Sequence, residues 1–224
     1  VGAIRRLSYV VYTSETNAFL AQLPLIQEKV VDILRSSPAD LVHAEVYLCM
    51  RVFLCRFASQ HLTGFWPIIL TEMVRILAQA KVDLPADKSD RLQLVFSVVK
   101  LADFLITLQT DDFQIYQWLF ITDTPDATNP ASFYMADSLL DCLAKFVSEC
   151  ERELVFDAND SLERAQQRRP LLQMSSVTTM STLQPFFATA SRAFYQCDFH
   201  APLDWDNINS CLLCDLFEPI RTNA

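Results

Sequence analysis

Hydrophobic residues recur every three or four positions along almost the whole chain, which is the spacing of helices that bury one face. This spacing predicts helices over residues 4–12, 25–35, 41–58, 67–81, 91–109, 112–121, 132–154, 182–199 and 204–217. No strict sequence repeat accompanies them, so any stacking of the helices is expected to be irregular. We therefore predict an all-α fold of irregular stacked helical pairs, α-solenoid-like, with about eight to ten helices and essentially no sheet.

Two of these helices carry few polar residues. The helix over 41–58 is apolar nearly all round and is interrupted mainly by His43, Glu45, Arg51 and Arg56. It is therefore predicted to lie at the centre of the fold. The helix over 91–109 has a narrow polar stripe at Gln93, Ser97, Lys100 and Thr107. Such a helix is expected to contact neighbours on two sides.

Residues with special local preferences mark the predicted helix ends. Asp40 is predicted to cap the central helix, and Asp111 with Asp112 to cap the helix that follows them. A helix is predicted to end at Gly64. Trp66 stands at the entrance of the next helix and is predicted to be buried there against the central helix.

Glycine is scarce, and this limits the possible fold classes further. Only two glycines occur, where an average usage of about 7% would give roughly sixteen. Tight β-hairpins need residues that tolerate a positive φ, so a hairpin-rich β fold is not expected. Glycine-rich nucleotide-binding loops are absent from the sequence. We predict a single α-helical domain over 1–224, belonging to a larger chain, with exposed loops near 122–131 and 157–169.

The net charge of −9 opposes binding to nucleic acid, which requires a surplus of Lys and Arg. Thirteen acidic residues lie between positions 103 and 163, opposed there by two basic residues. A basic cluster follows at Arg164, Arg168 and Arg169. The cluster either grips a phosphate through its guanidinium groups or is a solvated loop that neutralises the acidic helix before it.

Cysteine usage indicates a reducing compartment, because seven is an odd number and several of the thiols lie at helical core spacing. Cys197, His200, Cys211 and Cys214 have spacings that suit a tetrahedral zinc site. Both pairs lie in helical pattern, however, and this favours small hydrophobic residues over ligands. The sequence predicts no metal and no cofactor.

Catalytic patterns are absent from the sequence. None of the histidines, His43, His61 and His200, adjoins the strained turn that presents a nucleophile. The chain is therefore predicted not to be an enzyme. The longest run without charges, 170–191, is too polar to span a bilayer, and we expect a soluble protein.

An aromatic group in the helix over 112–121 has two interpretations. Its members are Phe113, Tyr116, Trp118 and Phe120. Aromatic residues at helical spacing usually belong to a core, and an exposed partner groove is the alternative.

Four segments resemble the C-terminal region of the Dopey family. They are "QLPLIQEKVVDIL" at 22–34, "QHLTGFWPIILTEM" at 60–73, "DDFQIYQWLFI" at 111–121 and "RRPLL" at 168–172. The resemblance covers residues 4–199 and is carried by the helical core. No catalytic residue transfers with it.

The resemblance implies a non-enzymatic scaffold on the cytosolic face of trans-Golgi network and endosome membranes, acting in vesicular and retrograde transport. The implied partners are a large Sec-seven-related Golgi scaffold and an aminophospholipid flippase, with zipper-like self-association. In that setting Arg164, Arg168 and Arg169 are predicted to contact a partner or anionic phosphoinositide headgroups.

Two alternatives of other classes stay open. The first is a helical lipid or small-molecule binding module, which would need an apolar pocket of several hundred Å³ between helices. The second is an enzyme whose helical active site is not recognised in the sequence. It would need a buried pair of titratable groups in a cleft.

Overall fold

A computed structural model describes residues 1–121, 138–150 and 168–217. The helices are α1 (Gly2–Thr13), α2 (Leu23–Ser36), α3 (Asp40–Arg56), α4 (Trp66–Val82), α5 (Asp90–Leu108), α6 (Asp111–Gln114), α7 (Leu139–Cys150), α8 (Gln184–Gln196) and α9 (Trp205–Phe217). Short 3-10 turns occur at Ser59–His61, Thr63–Phe65, Gln117–Leu119 and Met180–Leu183. Within these three described stretches there is no strand, and the all-α prediction is confirmed.

Most helix bounds agree with the hydrophobic spacing to within a few residues. The helix predicted over 112–121 is an exception, because the described chain there forms α6 followed by a separate 3-10 turn. The loop predicted near 122–131 lies outside the described residues, as does nearly all of the loop predicted near 157–169. The ends of the helix predicted over 132–154 also lie outside them.

Helix α3 forms the centre of the fold. It packs against α1 and α5 along much of its length and also contacts α2 and α9. Every residue from 43 to 54 is buried. Helix α5 is buried almost as completely, from Leu94 to Thr107 with one half-buried exception. The prediction of a central helix is confirmed, and α5 shares that position.

The prediction that a helix ends at Gly64 is wrong. Helix α3 ends at Arg56, and Gly64 lies within the second 3-10 turn, with an ordinary negative φ. The Gln27 side chain lies against Gly64 and donates from Nε2 to the Gly64 carbonyl oxygen at 2.7 Å. A Cβ atom on residue 64 would stand 2.5 Å from that nitrogen, so a larger residue there would displace the Gln27 amide and its hydrogen bond.

The predicted aspartate caps are also wrong. Ala39 is the N-cap of α3, while Asp40 is its first residue and accepts a hydrogen bond from Arg91 Nη1 at 3.4 Å. Thr110 is the N-cap of α6. Asp112 instead accepts a hydrogen bond across the fold from the Trp66 indole, with Nε1 and Oδ2 at 3.3 Å. Carboxylates expected to satisfy local backbone groups therefore connect separate helices.

Trp66 is the anchor predicted from its position at the start of α4. Its side chain is 3% exposed and belongs to the continuous hydrophobic core. The core also contains residues of α3, α5, α7, α8 and α9, so the described helices share one apolar interior. The Trp66 ring packs in that apolar interior, and its indole N–H donates a hydrogen bond to Asp112.

We expect Trp66→Ala to lower the free energy of unfolding by about 3–5 kcal/mol, because it leaves a large cavity in the hydrophobic core. Trp205, which is 44% exposed at the start of α9, provides a matched control. Urea denaturation followed by far-ultraviolet circular dichroism measures both. Equal losses for Trp66→Ala and Trp205→Ala would show that the indole of Trp66 does not anchor the core.

Candidate functional site

The burial of α3 and α5 places charged side chains in the interior. Each of four charged residues on these helices is at most 5% exposed: Glu45, Arg51, Lys100 and Asp103. A buried charge is costly unless it is paired and hydrogen-bonded. Each of the four has found a partner, and three separate segments of the chain supply those partners.

Asp215 of α9 pairs with two of these cations at once. Lys100 Nζ lies 2.6 Å from both carboxylate oxygens, and Arg51 Nη1 donates to Oδ2 at 2.5 Å. Asp215 itself is 8% exposed. Burial lowers the pKa of Lys100, and the neighbouring Arg51 lowers it further, while Asp215 opposes both effects. One carboxylate thus serves two buried cations.

Glu45 on α3 pairs with Arg5 on α1. The guanidinium contacts both carboxylate oxygens, with Nη2 at 2.6 Å from Oε1 and Nε at 3.1 Å from Oε2. This two-pronged geometry is the strong form of the arginine–carboxylate interaction. It adds an ion pair to the apolar packing between α1 and α3.

Asp103 on α5 is bonded to the backbone rather than to a cation. Its two carboxylate oxygens accept from the amide nitrogens of Leu171 and Leu172, at 3.1 and 2.8 Å. Burial raises the pKa of Asp103 to about 6, while those two amides and Lys100 act in the opposite direction. The segment after Arg168 is thereby fixed to α5.

A cavity of about 300 Å³ opens above the Asp215 cluster, between α3, α5 and the segment 175–178. Three polar residues of the α5 stripe line it: Gln93, Ser97 and Lys100. Ser175, Ser176 and Thr178 line the facing side. Three of the four residues of the polar stripe predicted on this helix therefore line a cavity of mixed polar and apolar character.

The Arg168 guanidinium donates hydrogen bonds to backbone carbonyl oxygens, a role that the sequence did not indicate. Its Nη1 donates to the carbonyl oxygens of Phe199 and Ala201 at 3.0 and 3.1 Å. Its Nη2 donates to those of Thr107 and Leu108 at 3.3 Å each, in the last turn of α5. A cation there satisfies open carbonyl groups and complements the helix dipole. Arg168 is thus occupied, and Arg169 beside it is only half-exposed.

Arg164, the third member of the basic cluster, lies outside the described residues. A membrane or partner contact by Arg164, Arg168 and Arg169 therefore stays a prediction. Arg168 would have to give up its bonds to four carbonyl oxygens to make one.

The aromatic group divides between core and surface. Phe113 and Phe120 are buried and stack with their ring centroids 6.0 Å apart. Tyr116 is half-buried, while Trp118 is 64% exposed and Ile115 beside it is 66% exposed. Both interpretations of the group hold in part, since two rings fix the segment and one projects from it.

The residues considered as zinc ligands differ in their burial and in their contacts. Cys211 is half-buried and contacts Asn207 Oδ1 at 3.7 Å, while Cys214 and His200 are exposed. Among the described residues, no three His, Cys, Asp or Glu side chains are grouped as metal ligands, and no disulfide joins the described cysteines. Burial raises the pKa of both Cys197 and Cys211. The absence of zinc stays a prediction.

Residues 1–199 match the sequence profile described as DOP1 C-terminal. The chain belongs to the Dopey family. It matches Protein DOP1B of Mus musculus at 28% identity, over 85% of this chain and 10% of that protein. Protein pad-1 of Caenorhabditis elegans is 30% identical over 84% of this chain and 8% of its own length.

Protein dop1 of Emericella nidulans is 31% identical over 62% of this chain and 8% of its own length. The chain therefore spans about a tenth of the Dopey relatives it matches. No solved structure matches it. None of the helices in the described stretches is both long and apolar enough to cross a membrane. The family match ends before α9, the helix that carries Asp215.

We expect Asp215→Asn to cost about 3–5 kcal/mol of stability, because it leaves two buried cations without a counterion. Asp206→Asn, an exposed change on the same helix, should stay within about 0.5 kcal/mol of wild type. Urea denaturation measures both variants. The combination Arg51→Met, Lys100→Met and Asp215→Leu should recover most of the loss, since it removes every member of the cluster. A triple variant weaker than Asp215→Asn would contradict an electrostatic origin.

The raised pKa of Asp103 predicts that the stability of the fold depends on pH. Its folded pKa of about 6 lies above the ordinary value of 3.8, so the folded chain binds the proton more tightly. This stabilisation is present at low pH and is lost as the pH rises through about 6. Relative to Asp103→Asn, wild type should lose roughly 2–3 kcal/mol between pH 4 and pH 7. Parallel stability profiles for the two proteins across this range would refute the assignment.

Proposed function

We propose that this Dopey-family chain is a non-enzymatic scaffold or interaction domain in Golgi–endosome vesicular, retrograde transport, at the cytosolic face of the membrane. Two findings support the proposal. Membership of the family carries the expectation stated for it above. The single structural observation that favours an interaction role is the exposed pair Ile115 and Trp118, which lies in the chain between the buried rings of Phe113 and Phe120.

This exposed pair, termed here the 115–118 surface, has the properties of a protein contact. Both side chains are large and apolar, and each is about two-thirds exposed, Ile115 at 66% and Trp118 at 64%. Trp is enriched among the residues that dominate binding energy at interfaces. Phe113 and Phe120 hold the segment in the core, so little conformational entropy is lost when a partner covers it.

The partners proposed are those implied by the resemblance, namely the large Sec-seven-related Golgi scaffold and the aminophospholipid flippase. Self-association and contact with phosphoinositides are further proposals of the same kind. For the membrane contact, Arg164 and Arg169 are the better candidates, because Arg168 is already bonded to carbonyl oxygens. Few cations attach weakly, at about 1 kcal/mol each, so recruitment would also need a partner.

The alternative of a lipid or small-molecule binding module has one observation in its favour, which is the cavity of about 300 Å³. That alternative expected an apolar pocket. The cavity instead mixes charged and hydroxyl-bearing residues with apolar ones, Leu48, Phe96 and Val177 among them, so it differs from the apolar pocket that this alternative expected.

The scaffold proposal predicts that Ile115→Ser with Trp118→Ser, introduced into the full-length parent protein, reduces its Golgi and endosome localisation and slows retrograde return of cargo. The physical reason is loss of buried apolar contact with a partner. Fluorescence microscopy against organelle markers measures the first effect, and a cargo-return assay the second. Leu25→Ser with Val82→Ser is the matched control, since both residues are exposed and apolar on other helices.

A second variant, Arg164→Glu with Arg169→Glu, tests the membrane contact in the same assay, with Lys29→Glu and Arg35→Glu on α2 as its control. Unchanged localisation and cargo return in both test variants, with melting temperatures like wild type, would reject the proposed surfaces.

A further inference from the structure

We propose that the cavity between α3, α5 and the segment 175–178 is a binding site for a small phosphorylated anion. The site is separate from the 115–118 surface and does not depend on the scaffold role. Its ligand class follows from the charge, the donors and the size of the cavity.

The lining is positively charged in a chain that is negative overall. Four cations line the cavity against two carboxylates: Arg5, Arg51, Lys88 and Lys100 against Glu45 and Asp215. The whole chain carries −9. A concentration of positive charge in a cleft of an acidic protein attracts anions locally, since low-dielectric walls focus its field.

Arg51 at the floor has unused donor capacity. A guanidinium carries five N–H donors, and the hydrogen bond shown for Arg51 is the one from Nη1 to Asp215. Its Nε has no hydrogen-bond partner among the described residues, although the side chain is 5% exposed. Together with Lys100, Arg51 shares the Asp215 carboxylate, and Asp103 is the second carboxylate near the two cations. An anion in the cavity would give the unused Nε donor of Arg51 an acceptor.

The side of the cavity opposite α5 is formed by residues with neutral donors. Ser175, Ser176 and Thr178, which carry hydroxyl groups, line the cavity there. Gln93 Nε2 donates to the Val177 carbonyl oxygen at 2.8 Å, which ties this wall to α5. The Lys88 backbone nitrogen donates to the Thr178 carbonyl oxygen at 2.9 Å, which closes the rim. Hydroxyls beside Arg and Lys are the donors that bind phosphate oxygens.

The size of the cavity limits the ligand further. About 300 Å³ is the lower end of the range for small-molecule pockets. A phosphate group with a small body fits this space, and the four cations of the lining favour an anion over a neutral ligand. Two sources share this chemistry, a free phosphorylated metabolite and the headgroup of a phosphomonoester lipid.

Isothermal titration of the 224-residue chain with glycerol 3-phosphate tests the proposal, and glycerol is the uncharged control. We expect saturable binding with a Kd of about 1 mM or tighter, competition by inorganic phosphate, and no binding of glycerol. In nuclear magnetic resonance spectra, the amide signals of Ser175, Ser176 and Thr178 should shift on addition. Absence of saturable binding, or shifts confined to other segments, would overturn the site.

A rim variant distinguishes the cavity from general charge attraction. Lys88 has a φ of 55°, so Lys88→Asn removes the cation while keeping a residue that tolerates this conformation. We expect it to weaken glycerol 3-phosphate about tenfold, the usual effect of losing a charged hydrogen-bond donor. Lys81→Asn, an exposed cation at the end of α4, should leave the affinity unchanged. An equal loss in both variants would refute the site.

Vesicle flotation separates the two sources. Binding to phosphatidylcholine vesicles that contain phosphatidic acid, but not to pure phosphatidylcholine, with displacement by glycerol 3-phosphate, identifies a lipid headgroup. Binding of the soluble anion without flotation identifies a free metabolite. If neither the soluble anion nor the vesicles bind, the proposal is wrong.

Discussion

The need to neutralise charges in the buried middle of two helices determines how the rest of the chain is arranged. Glu45 and Arg51 of α3, with Lys100 and Asp103 of α5, are each at most 5% exposed and require partners. Three different segments supply those partners. Arg5 arrives on α1, Asp215 on α9, and the backbone amides of Leu171 and Leu172 on the stretch before α8. Each peripheral segment is therefore positioned by a specific polar contact as well as by apolar packing.

Those polar contacts favour one packing of the helices over others. Any other packing would leave a charge unpaired in the interior, at a cost of several kcal/mol. Apolar helix surfaces can shift by one helical turn with a modest loss of stability. A carboxylate between two cations keeps both ion pairs in only one register of the helix against its neighbours. The arrangement also has a functional side. The Asp215 cluster that locks α9 in place is the floor of the cavity, so the same charges that specify the fold create a polar site.

The hydrophobic spacing predicted most of the helices, because burial of one face is a local, repeating signal. It also predicted the burial of Trp66 and the central position of α3. It missed the cavity, although the signal was present. Glu45 and Arg51 were noted as interruptions in a helix expected at the centre, and a buried helix cannot leave charges without partners. Their partners lie 40 and 164 residues away along the chain, a distance that no local pattern reports. The roles of Gly64 and Asp40 were missed for the same reason, since each contacts a residue of another helix, Gln27 and Arg91 respectively.

The position of Asp215 bears on where this folded unit ends. The family profile matches residues 1–199, yet the counterion for two interior cations comes from α9 beyond it. A protein truncated at residue 199 would keep Arg51 and Lys100 close together in a low-dielectric interior without the Asp215 carboxylate between them. The pairing of charges therefore makes α9 part of this folded unit, although the profile match ends before it.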